Sequence, residues 1–410
     1  MKRVISLALL TCLCPLAAST QEAEPGGVFF TFDWGQTFIG STDRDLETTE
    51  AEDGFESVTD LSFGAVTETR TQRLSFDLDT TFSLTEDEFA DEGLVARLAY
   101  TRNSADASFD FALEGRREDI AFLRDASDFI NDEGVIVLPD DFDDLTGTGF
   151  RNETTVSVGF TWGDTAPVGY SLSGSQTRLR YEDASATLLD NDSSTIALGL
   201  RLNINEVVTS NIGLSYTQSE DIGEPATETT TLSGALTFAR PLGALTTGIS
   251  VSRDEEDETF WAATVARDYA LPNGSLRGEL GVVEDEFGDI RVTGGIAFSY
   301  PLPAAEITLS ADHSLDPGDD RATTTFSANY LQELSPVTSM QVGFDFGQTS
   351  DPDGGDVLAT GSLSASYGYS INEFWQLNVG ASFDFREDDG VRTDSTSIFL
   401  ALDRQFSFRP

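Results

Sequence analysis

The chain has 410 residues, with 71 Asp and Glu against 24 Lys and Arg, and a formal net charge of -47 at pH 7. Acidity on that scale argues against nucleic acid as a partner; it would suit a disordered chain, except that 39% of residues are hydrophobic and 29 are Phe, enough apolar surface to fold. Mean hydropathy is nonetheless slightly negative, and after residue 20 no apolar run reaches the ~18 residues of a membrane helix.

Met1 to Thr20 reads as a secretory signal: Lys2 and Arg3 form the basic end, Val4 to Ala18 the apolar segment, and Ala17 to Thr20 offer small residues for cleavage. Both cysteines, Cys12 and Cys14, lie inside it. A lipoprotein reading of Leu9 to Cys12 is weaker, because Thr11 is large for its place and the apolar core would be very short. The expected mature chain, 21–410, then has no Cys for disulfide or thiol chemistry and no Lys. It reads as one domain, with no plug or passenger.

Strand follows strand from there. Val28 to Phe38 places Phe30, Phe32 and Trp34 on one face. An acidic stretch, Ser41 to Glu56, reads as a loop. Strands carried by Leu61, Phe63 and Ala65, then by Leu74, Phe76 and Leu78, come next. The pattern continues through Leu94–Tyr100, Phe109–Leu113, Val156–Trp162, Tyr170–Tyr181, Ile196–Leu202, Ile212–Tyr216, Leu232–Phe238, Leu245–Val251, Trp261–Tyr269, Leu276–Val282, Val292–Tyr300, Ile307–Ala311, Thr324–Tyr330, Met340–Phe346, Leu363–Tyr369, Trp375–Phe385 and Ile398–Phe408.

Trp375 to Phe385 shows the unit most plainly. Trp375, Leu377, Val379, Ala381, Phe383 and Phe385 alternate with Gln376, Asn378, Gly380, Ser382 and Asp384. Period-two alternation makes a strand with one apolar and one polar face. Its length of about eleven residues, tilted near 40°, crosses an apolar band of roughly 25 Å. In Tyr170–Tyr181 the apolar parity slips between Leu172 and Leu179, and a bulge is expected there.

Connections alternate in kind. Short ones, such as Gly163–Pro167, Pro241–Gly243, Pro272–Gly274 and Pro301–Ala304, carry Pro and Gly as tight turns do. Acidic and usually longer ones include Thr85–Glu92, Arg117–Phe150, Glu182–Asp192, Thr349–Asp356 and Arg386–Asp394. Short turns at one rim and long loops at the other are the plan of an outer-membrane barrel. The expected fold is therefore all-β: a transmembrane antiparallel up-and-down barrel of about 18–20 strands.

On these patterns the chain resembles Gram-negative outer-membrane β-barrel proteins of the porin class, within a loosely defined group of porin-like barrels of about this length. The resemblance covers everything after the signal. It implies a bacterial outer-membrane location, with the lipid bilayer, lipopolysaccharide and the barrel assembly machinery as partners. Members end in an aromatic residue that assists assembly; Phe406 and Phe408 match, followed here by Arg409 and Pro410.

The apolar face is expected to touch lipid, with Tyr100, Trp162, Tyr216, Trp261, Tyr300, Tyr330, Tyr367, Tyr369 and Trp375 as interface girdles. The other face is rich in Ser, Thr, Gly and Ala, as in Ser233, Ala235 and Thr237, where a packed core would need large apolar residues. Charges fall on it too. The lumen-facing candidates are Arg73, Arg97, Arg116, Arg201, Arg277 and Arg291, with Asp77, Asp79, Asp110, Glu114, Glu279, Asp345 and Asp384. Cross-strand pairing that braces the wall is the plainer role for them. The sharper one is a transverse field across the lumen that favours small polar solutes. Residues 117–150 either fold inward as a constriction or cap the mouth.

The acidic loops make a negative mouth that attracts cations. Asp140, Asp141, Asp143 and Asp144 are a candidate weak Ca²⁺ or Mg²⁺ site through oxygen ligands; a solvated acidic surface is the plainer reading, and no other cofactor is expected. A catalytic reading would need a base, and the one His, His313, continues the lipid-facing parity of Ile307, Leu309 and Ala311, so no enzyme is expected. The function expected is a porin-like channel for passive diffusion of small polar solutes or cations. An exopolysaccharide secretion channel is the first alternative, which genes for polysaccharide export alongside would favour. A structural or adhesive barrel closed by its loops is the second, which absent conductance would favour.

Overall fold

The computed structural model of the protein describes residues 27–42, 54–85, 89–120, 148–185, 188–223, 225–254, 258–284, 288–316, 321–350, 357–388 and 390–409. The expected signal, most of the 117–150 segment and the Asp140–Asp144 acids lie outside the described residues.

The strands are β1 Val28–Ser41, β2 Gly54–Glu68, β3 Gln72–Leu84, β4 Phe89–Asn103, β5 Ala107–Asp119, β6 Phe150–Trp162, β7 Val168–Glu182, β8 Asn191–Asn203, β9 Val208–Asp221 and β10 Thr227–Arg240. They continue as β11 Gly243–Arg253, β12 Thr259–Leu271, β13 Gly274–Glu284, β14 Ile290–Leu302, β15 Ala305–Asp316, β16 Arg321–Ser335, β17 Thr338–Ser350, β18 Val357–Ser370, β19 Trp375–Asp388 and β20 Val391–Phe408. They form one 20-stranded sheet. Each strand pairs antiparallel with its sequence neighbours, and β1 pairs with β20 from Phe30↔Phe408 to Ser41↔Ser397. The sheet is thus a closed barrel with no free edge. Twenty strands at ~4.8 Å spacing, tilted near 40°, enclose a wall roughly 40 Å across.

Alternation dictates which side faces out. At Trp375–Phe385 and its counterparts, large side chains stand at every second residue, and register carries that parity from strand to strand through the middle of the wall. Leu280 is 71% exposed and Ile398 66%, whereas Thr360 and Ser83 on the opposite face are 0% and 1% exposed. A curved wall splays side chains on its convex face and crowds those on its concave one. The apolar face is therefore the outside and the Ser/Thr/Gly face the inside. Only hydrocarbon accommodates a convex surface so apolar.

Both termini of the wall lie at one rim, with the short turns; the acidic connections lie at the other. Gly243 shows why glycine closes a turn: its φ is 126°, and a Cβ there would fall 2.1 Å from the Asp268 carbonyl oxygen. The expected bulge in β7 is absent: β7 keeps unbroken register with β6 and β8. Leu179 and Tyr181 instead face inward. Tyr181 packs on a small buried cluster of Ile120 and Leu188 above the apolar band, while Arg178 and Arg180 take the outward positions. A real irregularity lies in β4, where Thr81 pairs with Gly93 and Phe82 with Asp91, leaving Glu92 as the extra residue.

Candidate functional site

The inner wall is the candidate site, and register sorts it into sectors. At the seam where the first and last strands meet, Asp33 of β1, Asp60 of β2, Asp77 and Asp79 of β3, and Asp403 of β20 share the inner face. Thr81 Oγ1 donates to Asp60 Oδ1 at 2.8 Å and Asn378 Nδ2 to Asp403 Oδ2 at 2.7 Å. Gly35 lies between them; a Cβ there would sit 3.1 Å from Asp403 Oδ1 and 3.4 Å from Asp60 Oδ2. A recess of about 410 Å³ opens here, lined by Asp33, Gly35, Asp60 and Asp403 together with Trp34, Trp375 and Arg404. None of these carboxylates is in an ion pair among the described residues. Nor, among the described residues, is any group of three or more His, Cys, Asp or Glu arranged to hold a metal ion.

Beside the seam, β4 to β6 carry a charge ladder. Arg97 Nε lies 3.2 Å from Glu114 Oε2, its partner directly across β4 and β5. Glu114 also accepts from Arg116, which reaches Glu118 at 3.8 Å. On β6, Arg151 pairs with Glu153 at 2.7 Å. Arg97–Glu114 braces two neighbouring strands, whereas Arg116 pairs with Glu114 and Glu118 along β5, and Arg151 with Glu153 along β6.

The next sector is neutral. Ser171, Gly199, Gly213, Ser233, Ser250 and Ala262 stand in one row across β7 to β12. Hydroxyls meet across strands at Thr195–Thr217, 3.1 Å, and Thr231–Ser252, 2.9 Å. A shallow recess of about 590 Å³ follows this row. Arg201 stands at its end, but its guanidinium is used at the turn, where Nη2 donates to the Gly163 and Asp164 carbonyls at 2.6 and 3.0 Å.

The remaining sector, β12 to β19, is mixed. Arg277 pairs with Glu279 at 2.8 Å and Asp268 at 3.5 Å. Asp345 accepts from Ser327 at 2.7 Å. Asp384 accepts from Ser362 and Ser382 at 2.6 and 2.7 Å.

All the lumen-facing candidates stand on this one face by register: Arg73, Asp77 and Asp79 on β3, Arg97 on β4, Asp110, Glu114 and Arg116 on β5, Arg201 on β8, Arg277 and Glu279 on β13, Arg291 on β14, Asp345 on β17 and Asp384 on β19. Their roles differ. Arg97 with Glu114, and Arg277 with Asp268, brace neighbouring strands; Arg116 and Glu279 pair within their own strands; Asp345 and Asp384 hold hydroxyls; Arg73, Asp77, Asp79 and Asp110 are in no ion pair among the described residues. The seam acids Asp33, Asp60 and Asp403 are not among the sequence candidates, though each falls at the inward parity of its strand, Asp33 between Phe32 and Trp34. The girdle aromatics all face outward, and so does His313, whose Nδ1 lies 2.9 Å from Thr324 Oγ1.

No family model matches the chain, and no curated protein matches its sequence. Among solved structures, the siderophore receptor PirA from Acinetobacter baumannii aligns at a TM-score of 0.52 and 8% identity, over 94% of this chain and 81% of that one. A variant ferric enterobactin receptor from Pseudomonas aeruginosa aligns at 0.51 and 8% identity, over 92% and 81%. OpdK from Pseudomonas aeruginosa, nearly the same length, covers 99% of its own chain and 93% of this one at a TM-score of 0.43 and 11% identity. At such identities the likeness to the receptors is one of fold: the chain has the closed barrel of Gram-negative outer-membrane proteins.

Proposed function

We propose that the protein is an outer-membrane channel for passive diffusion of small polar solutes, cations foremost, through a water-filled lumen with an acidic external mouth. The observation that carries this reading is the inner wall itself. Twenty strands turn inward a face rich in hydroxyls, glycines, carboxylates and arginines, a lining that suits water and not a packed core. The seam acids bias the lumen toward cations, as the acidic loops bias its mouth. The hydroxyl row from Ser171 to Ala262 gives neutral polar solutes a wall without strong binding. Lipopolysaccharide at the long-loop rim and the barrel assembly machinery are the partners this reading implies, and it calls for no catalytic group.

The experiment is single-channel recording of the refolded protein in planar bilayers under a salt gradient, with sugars added to one side. Ohmic steps and a reversal potential of cation-selective sign are expected. A folded barrel that passes no current, or that prefers anions, would overturn the reading.

A further inference from the structure

A cation on a lipid-facing strand is costly unless some anion answers it. Register turns Arg240 of β10 and Arg267 of β12 outward near the short-turn rim. Arg267 stands between Val265 and Tyr269, which are 51% and 38% exposed, and its cross-strand neighbours are Leu245 and Gly278. Arg240 ends β10, with its Cζ 6.0 Å from the centre of the Phe238 ring. Phe238 and Arg267 flank the same residue, Leu245. Only β11 separates the two strands, so the arginines stand roughly 10 Å apart on one convex patch.

Neither guanidinium has a hydrogen bond or ion pair among the described residues. The turns beneath, Pro241–Leu242 and Pro272–Asn273, hold no carboxylate. Outward arginines toward the long-loop rim are treated differently. Arg117 pairs with Asp91 at 3.3 Å, Arg178 with Asp192 at 3.1 Å, and Arg180 with Asp192 at 2.7 Å. In a chain of 71 acidic residues, two neighbouring arginines with no acidic partner among the described residues are placed for an anion from outside the chain. Beside Arg267, a Cβ at Gly278 would meet nothing within 4 Å. With Leu276 and Leu280 on either side of it and Ile296 across, Gly278 leaves a notch directly next to the charge.

We propose that Arg240, Arg267 and the Gly278 notch bind the phosphate of an anionic glycerophospholipid at the short-turn rim. The inference rests on the membrane reading given above. At this depth the anion at hand is a headgroup phosphate, and an arginine fork matches phosphate oxygens in pairs. The notch admits the headgroup against the wall.

The test is native mass spectrometry of the full chain, refolded into vesicles of equal parts phosphatidylglycerol and phosphatidylethanolamine and then released into mild detergent. The parent is expected to retain phosphatidylglycerol preferentially. R240Q/R267Q should retain about tenfold less, the equivalent of one good charge-assisted contact, while R178Q/R180Q at the other rim retains as much as the parent. Gly278→Leu keeps both charges, fills the notch and should also lower retention. Folding of each variant is checked by its heat-dependent gel mobility. Equal retention in parent and R240Q/R267Q would sink the proposal, as would equal retention of the two lipids by the parent. Displacement by inorganic phosphate at low concentration would reassign the site to free phosphate. Loss of self-association with lipid retention unchanged would reassign the patch to a second copy of the chain. Lipid retention does not depend on conductance, so its failure leaves the channel reading standing, and a silent folded barrel leaves the lipid site standing.

Discussion

Phe30, near the start of β1, stacks on Phe408, the last residue of β20, with ring centroids 5.1 Å apart and planes at 22°. Phe32 and Phe406 repeat the contact one pair further in, at 6.0 Å. These rings lie on the seam that turns a sheet into a barrel, and they join residues from opposite ends of the chain. Closing that seam bears the loop-closure cost of the whole wall. Phe408→Ala is expected to cost about 0.5–1.5 kcal/mol beyond its lost burial and to slow folding into vesicles. Phe344→Ala removes a ring from the Phe326–Phe344 pair, 5.6 Å apart on neighbouring strands, and should lower stability with little effect on the folding rate. Time-resolved gel mobility reads both, and identical folding rates for the two variants would refute the special place of the seam.

The barrel was legible in the sequence because lipid and water impose opposite demands on alternate residues. Trp375 to Phe385 obeys both demands without exception. The same rule placed Arg97, Glu114 and Asp384 on the inner face. It failed at Tyr170–Tyr181 because Leu179 and Tyr181 rise above the apolar band, where the outer face no longer needs apolar side chains and Arg178 and Arg180 take over. What alternation cannot convey is register. Whether Arg97 meets Glu114 or Asp77, both of which it opposes across neighbouring strands, depends on side-chain geometry. That Asp60 and Asp403 flank Gly35 depends on the first strand meeting the last in one particular register.

Gly243 offers a test of the turn chemistry. With φ at 126° and the Asp268 carbonyl oxygen 2.1 Å from the place of a Cβ, any side chain must move backbone. Gly243→Ala is expected to destabilise the barrel by about 1–3 kcal/mol, read as a lower urea midpoint in vesicles. Gly115→Ala, where a Cβ would meet nothing within 4 Å, should stay close to the parent. Equal midpoints for the two variants would show that the turn tolerates a side chain after all.

The brace of Arg97 and Glu114 should be measurable and small. Their side chains are 39% and 31% exposed, so water and salt screen the pair. A double-mutant cycle of Arg97→Ala and Glu114→Ala should give a coupling of about 0.2–1 kcal/mol, shrinking in high salt. Because Glu114 also accepts from Arg116, Glu114→Ala alone should cost more than Arg97→Ala alone, since it strands two cations. The opposite ranking would mean that Arg97 answers Asp77 as well as Glu114, both of which it opposes, and that Arg97 anchors the ladder.

The seam carboxylates make the sharpest electrical prediction. Asp33, Asp60 and Asp403 gather around Gly35 with no ion pair to any of them among the described residues, so no paired cation cancels their charge at the lumen. D33N/D60N/D403N keeps their shapes and much of their hydrogen bonding but removes the charge, and the cation-to-anion permeability ratio should fall. S233A/S250A in the hydroxyl row should leave the ratio unchanged. Screening sets the conditions. The Debye length is about 10 Å at 0.1 M salt and about 3 Å at 1 M, so on a wall roughly 20 Å in radius only solutes near the seam feel these charges. The difference between parent and triple variant should be clear at 0.1 M, on the order of one Debye length from the wall, and nearly vanish at 1 M. A ratio that did not move at low salt would place the ion path elsewhere in the lumen, leaving selectivity to the acidic loops alone.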